Sequence, residues 1–80
     1  MEKTFRLTVI TPDGTVLDTA VTYANLPAKG GTVGILPGHA PMVCALEKGS
    51  LRYKTVSETL TFPLTGGIAE VRDNKVTVIQ

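Results

Sequence analysis

Gly66-Gly67-Ile68-Ala69-Glu70-Val71-Arg72-Asp73-Asn74-Lys75-Val76-Thr77-Val78-Ile79 is the stretch on which the fold turns. It opens on a Gly-Gly turn signal and is interrupted by a second, Asp73-Asn74. Beyond that second turn, Val76 and Val78 fall on one side of an extended chain and Lys75 and Thr77 on the other. That is the period of two required of a half-buried strand. The same punctuation recurs toward the N-terminus at Lys48-Gly49, Pro37-Gly38, Gly30-Gly31 and Pro12-Asp13-Gly14. Between these signals lie segments of about five to ten residues, the spacing of an antiparallel all-β sandwich or barrel.

Several of these segments alternate in the same way. Phe5, Leu7 and Val9 oppose Thr4, Arg6 and Thr8; Leu51 and Tyr53 oppose Ser50, Arg52 and Lys54; Leu60, Phe62 and Leu64 oppose Thr59 and Thr61. The abundant Thr suits strands, because its branched Cβ is crowded in a helix. Two segments carry a competing signal. Val16, Leu17, Ala20, Val21 and Ala24 sit at helical spacing, and Pro41 to Leu46 ahead of Gly49 is compatible with a short helix. Both are read as strands, the first because Thr19, Thr22 and Tyr23 favour an extended chain, the second because it is shorter than an ordinary helix.

The chain has 80 residues, 42% hydrophobic and 19% charged, with eight Gly, five Pro, one Cys, one His and no Trp. It has room for one small domain, expected over residues 1–80, and a folded surface of roughly 4,700 Å². It is too apolar for disorder and too punctuated for a membrane span. Cys44 is alone, so an internal disulfide is excluded and stability must come from packing. Eight Lys and Arg against seven Asp and Glu give a formal +1. The cations are scattered, leaving no footprint for nucleic acid, although Arg52 and Lys54 share a predicted strand face. The Met1-to-Arg6 start lacks the apolar core of a signal peptide, so a cytoplasmic setting is expected.

Catalytic chemistry is not visible. Cys44 with His39 is the one candidate nucleophile and base, separated across Pro41, and Cys44 among Val43, Ala45 and Leu46 reads as a small buried hydrophobe. One His and one Cys cannot complete a metal site. Gly30-Gly31-Thr32-Val33-Gly34 lacks the Gly-Lys-Ser/Thr of a phosphate loop and reads as a tight reversal at positive φ. Asp13 and Asp73 fit turn chemistry. The sequence reads as a domain that binds, with no catalytic residue, cofactor or metal expected.

Three stretches in order resemble the β-sandwich domain of the F-type ATP synthase epsilon subunit: Leu7-Thr8-Val9-Ile10-Thr11-Pro12-Asp13-Gly14, Gly34-Ile35-Leu36-Pro37-Gly38-His39-Ala40-Pro41, and Gly66 through Ile79. Lys48-Gly49-Ser50-Leu51-Arg52 is similar to the Gly-x-Leu-Arg strand start between the last two. The resemblance implies a flattened antiparallel β-sandwich of about ten short strands. It implies a non-catalytic rotor component at the foot of the central stalk, on the cytoplasmic face of the energy-transducing membrane. Its partners would be the gamma subunit and the polar loops of the c-ring, its link to the membrane only through the complex, and its role to couple proton flow to ATP synthesis. Carried onto this chain, the c-ring end is Thr32, Gly38, His39, Ala40 and Pro41. Pro37 and Pro41 each limit φ and bracket Gly38-His39-Ala40, which favours a pre-ordered loop that loses little entropy on docking.

The chain departs from that pattern in places. Many members carry Glu where this chain has Thr32, so an acidic contact would be lost there. Thr65-Gly66-Gly67 stands for Ser-Gly-Gly and keeps a hydroxyl, while Asn25 replaces a usually apolar residue and is expected to face solvent. The residues read here reach Gln80, short of the two-helix hairpin that the family places after the sandwich, so the resemblance does not carry that hairpin's inhibitory and nucleotide-binding roles onto them. The alternative reading is a stand-alone β-barrel or sandwich module for oligonucleotide or sugar, motivated by Arg52, Tyr53 and Lys54; it is weakened if Tyr53 points inward.

Overall fold

The structure, a computed structural model, describes residues 3–80; Met1 and Glu2, part of the start read as leaderless, lie outside the described residues. Among the described residues nine strands form: β1 (Phe5–Thr11), β2 (Gly14–Val21), β3 (Tyr23–Ala28), β4 (Gly31–Ile35), β5 (Met42–Leu46), β6 (Gly49–Lys54), β7 (Thr59–Leu64), β8 (Gly67–Arg72) and β9 (Lys75–Ile79). The expected count was about ten, and no helix occurs among the described residues. Both ambiguous segments are extended. Val21 and Ala24, three apart, are both buried because Thr22 forms a bend between β2 and β3 that resets the alternation.

The strands pair in the order β2-β1-β9-β8-β5-β3-β6-β7, with β4 paired to β3. All pairings are antiparallel except β1 with β9, a parallel pair that joins the first strand to the last. β3 is the pivot. Tyr23 to Asn25 pair with Lys54 to Arg52 of β6, Ala28 pairs with Leu46 of β5, and β4 runs along the other edge. The result is a five-stranded half (β2-β1-β9-β8-β5) and a four-stranded half (β4-β3-β6-β7) closed over one core, with extents of 33 × 24 × 20 Å.

Alternation delivers that core. Cys44, Ala69, Val78, Val9 and Leu17 form one inward row across the five-stranded half. Ala24, Leu26, Ile35, Leu51, Tyr53 and Leu64 close it from the other half. Leu7, Leu26, Ile35, Leu51, Val9, Val21, Val76 and Val78 are fully buried, each contributing about 1.5–3 kcal/mol of hydrophobic stabilisation. No polar or charged residue is buried among those described. The folded surface of 4878 Å² agrees with the size expectation.

Two irregularities shape the ends. Val9 pairs with Leu17 but Ile10 with Thr15, so Val16 is the extra residue of a bulge. Asp73 and Asn74 have φ of 51° and 60°, the double left-handed pair of a two-residue hairpin that matches strand twist.

Candidate functional site

The connection from β4 to β5 is a constructed loop. Pro37 and Gly38 occupy the centre of a turn in which His39 N–H donates to the Leu36 carbonyl at 3.2 Å, and Gly38 has φ +81°. Pro followed by a positive-φ Gly is the type II arrangement, so the two residues set the loop direction before anything docks. His39 Nδ1 lies 2.7 Å from the Ala40 carbonyl oxygen. Leu36 stands 60% exposed beside the turn.

Asn74 fastens this loop to the body. Gly38 N–H donates to Asn74 Oδ1 at 3.0 Å, Asn74 Nδ2 donates to the Thr4 carbonyl at 2.9 Å, and Arg6 N–H donates to the Asn74 carbonyl at 3.1 Å. One residue thus ties the β8–β9 turn, the start of β1 and the β4–β5 loop together. A shallow depression of about 360 Å³ lies among Lys3, Thr4, Pro37, Gly38 and Asn74.

Of the residues expected at a partner-contact end, Gly38, Ala40 and Pro41 are exposed and His39 is half-buried, all in this loop. Thr32 is apart from them. It follows the Lys29-Gly30 turn at the opposite end of β4 and lines a different groove with Tyr23, Asn25, Ser50, Arg52 and Thr61.

The outer face of the five-stranded half carries a row that alternation did not announce. Ala45, Ile68, Ile79 and Ile10 lie in register across β5, β8, β9 and β1. Ile68 and Ile79 are half exposed, at 50% and 51%, and Val43 on β5 is 68% exposed. The signal was present in the sequence as apolar residues on the polar phase: Ile79 follows inward Val78, and Ile10 follows inward Val9. Such a row is more than a scatter of single exposed apolar residues.

Both arginines of this half face carboxylates. Arg6 Nε lies 2.6 Å from Asp18 Oδ1, and Arg72 Nε lies 3.9 Å from Glu70 and 4.0 Å from Asp73. The hydrogen bond from Arg6 holds the Asp18 carboxyl below the usual carboxylate range, and the bond to Asp18 raises the Arg6 guanidinium in turn. The four-stranded half differs. Its groove, of about 490 Å³, is lined by Tyr23, Asn25, Thr32, Ser50, Arg52 and Thr61, with no carboxylate among them.

The Cys44–His39 pair is not assembled as a dyad. Cys44 is half-buried against the core in register with Ala69, and burial raises its thiol pKa, the opposite of what a nucleophilic thiolate requires. Among the described residues no group of three His, Cys, Asp or Glu could hold a metal ion.

A braced loop, an apolar row on one outer sheet face and a single buried core define a β-sandwich domain. Residues 4–80 match the β-sandwich domain family of the ATP synthase delta/epsilon chain, and the chain belongs to that family. The "ATP synthase epsilon chain" of Lawsonia intracellularis is 46% identical over 79 residues, covering 99% of this chain and 59% of that protein. That of Nitratidesulfovibrio vulgaris strain Miyazaki F is 48% identical over the same span and share. The chain therefore spans about three-fifths of the relatives it matches. Among solved structures, a chain of the Euglena gracilis mitochondrial ATP synthase (OSCP/F1/c-ring) superposes with a TM-score of 0.89 at 25% identity, covering 96% of this chain and 50% of that one. A chain of the Tetrahymena thermophila mitochondrial ATP synthase central stalk and c-ring superposes at 0.79 with 20% identity, covering 98% and 63%, a likeness of fold.

Proposed function

We propose that this chain is a non-catalytic central-stalk component of an F-type ATP synthase, a sandwich domain over residues 1–80 that docks on the gamma subunit and the c-ring. The observation that carries the reading is the apolar row Ala45, Ile68, Ile79 and Ile10 on a family member whose relatives are named ATP synthase epsilon chains. A protein with a filled core has no internal use for half-exposed isoleucines on the outer sheet face; a torque-bearing partner surface does. Gamma would cover this row. The c-ring loops would meet Gly38, His39, Ala40 and Pro41, held in shape by Asn74 so that docking orders little new chain. Thr32, set apart at the other end of β4, is left outside that contact. The domain would then sit at the cytoplasmic face of the membrane, attached through the complex.

Co-purification tests this. The chain should be retained by its cognate gamma subunit at about micromolar concentration, and Ile68→Asp should reduce retention by about tenfold or more while circular dichroism stays unchanged. His39→Ala should leave gamma retention intact and weaken capture by assembled rotor containing the c-ring. Failure of the unaltered chain to bind gamma overturns the reading. The rival oligonucleotide or sugar module loses its stacking residue, since Tyr53 is 6% exposed and faces the core.

A further inference from the structure

The four-stranded half has an outer face unlike the other. Asn25, Arg52 and Thr61 lie in register across β3, β6 and β7, with Gly34 of β4 opposite Asn25. Gly34 contributes no side chain, and the Tyr23 hydroxyl occupies the space that one would take: a Cβ at Gly34 would come within 3.1 Å of it. Thr32 and Ser50 line the groove from β4 and β6. The groove therefore crosses four adjacent strands, roughly 14 Å at ordinary strand spacing, the reach of about four residues of extended chain.

Its chemistry is one-sided. Asn25 Nδ2 donates to the Tyr23 hydroxyl oxygen at 3.2 Å, leaving the phenol proton free to be given outward. Thr32, Ser50 and Thr61 add hydroxyls. Arg52 is exposed and makes no salt bridge or side-chain hydrogen bond among the described residues, whereas Arg6 and Arg72 on the other half each face a carboxylate. Lys54, also exposed, holds its ammonium 5.9 Å from the centre of the Tyr23 ring, at one end of the groove. A guanidinium fork and an ammonium beside a groove lined with donors, with no acid in the lining, make a field complementary to carboxylates.

We propose that this groove docks an extended acidic segment of a partner polypeptide, with a carboxylate paired to Arg52, a second near Lys54 and the backbone bonded to the hydroxyls between. The occupant is a peptide because the groove is as long as about four extended residues. A nucleic-acid strand is disfavoured by the face itself, which offers one ring, Tyr23, where successive bases need successive stacking platforms. The proposal does not depend on the rotor reading, since the groove lies on the half opposite the apolar row.

Fluorescence anisotropy with the 80-residue chain tests it, using a labelled Gly-Glu-Glu-Glu-Glu-Gly peptide at about 20 mM salt. The expected result is saturable binding that Arg52→Gln weakens about tenfold, that Lys54→Gln weakens less, and that about 300 mM salt largely abolishes. Arg72→Gln, on the other half, should leave it unchanged. The proposal is overturned if the Arg52 variant, shown folded by circular dichroism, binds equally well. It is also overturned if a peptide with Lys in place of Glu binds equally, or if pyrophosphate or a short oligothymidine strand binds more tightly than the acidic peptide.

Discussion

The side-chain oxygen of Asn74 accepts the Gly38 N–H at 3.0 Å across 36 residues of sequence, and this bond joins the last hairpin of the sandwich to the loop proposed to meet the c-ring. Its partner bond, from Asn74 Nδ2 to the Thr4 carbonyl, uses the other end of the same amide. Asn suits the position twice over, since it tolerates the left-handed φ of 60° and presents both a donor and an acceptor.

Two variants separate those roles. Asn74→Gly keeps the backbone freedom and removes both bonds, and at about 0.5–1.5 kcal/mol for each should cost about 1–3 kcal/mol of unfolding free energy in urea. Asn74→Ala should cost about 1 kcal/mol more, because it adds left-handed strain. In both, the Gly38 amide should exchange with deuterium faster than in the unaltered chain. Unchanged Gly38 exchange would show that the loop holds its shape without Asn74.

Gly67 and Gly38 should respond very differently to a methyl group. A Cβ at Gly67, with φ +99°, would collide with the Ile79 carbonyl, whereas one at Gly38, with φ +81°, meets nothing within 4 Å. Gly38→Ala carries backbone strain alone and should lose about 1 kcal/mol. Gly67→Ala also forces β8 from β9 and should lose more than about 3 kcal/mol, or fail to fold. Equal losses in denaturant titration would contradict the packing described.

Acid should weaken the chain partly through Asp18. Its folded carboxyl pKa lies below the unfolded value because of the Arg6 hydrogen bond, so in acid the unfolded chain binds more protons at this group. The Asp18 contribution is therefore present above the unfolded pKa and is lost as pH falls through the folded one. A carboxyl titration followed by NMR should find Asp18 below the usual range, and Arg6→Gln should move it back up. A titration of Asp18 identical in both chains would remove the ion pair as the cause.

Cys44 should be chemically quiet. Burial raises its thiol pKa and its side chain packs on the core beside Ala69. Iodoacetamide at neutral pH should leave the folded chain unlabelled and modify it fully once denatured, as read by intact mass. Prompt labelling of the folded chain would reopen the Cys44–His39 reading.

Much of this was legible in the residues. Phe5, Leu7, Val9, Leu51, Tyr53, Val76 and Val78 read as one-sided from alternation and all are buried, because a strand converts a period of two directly into two faces. Gly30, Gly38, Gly66 and Gly67 read as turn residues and all have positive φ. The motifs around Pro37-Gly38-His39 and Asp73-Asn74 sufficed to name the family that the match over residues 4–80 then showed.

What alternation cannot supply is which strand lies beside which. Ile10, Ala45, Ile68 and Ile79 are single off-phase apolar residues until β1, β5, β8 and β9 come into register, when they become a surface. Arg72 has Glu70 and Asp73 from its own stretch of chain, whereas Arg52 becomes part of a groove lined by no carboxylate only when β4, β3, β6 and β7 lie side by side. The sequence by itself determined the strands, the core, the turns and the family, since each depends on neighbours along the chain. Only the tertiary structure decided the two outer faces and the brace at Asn74, because these are made by residues far apart in sequence whose meeting is set by strand order.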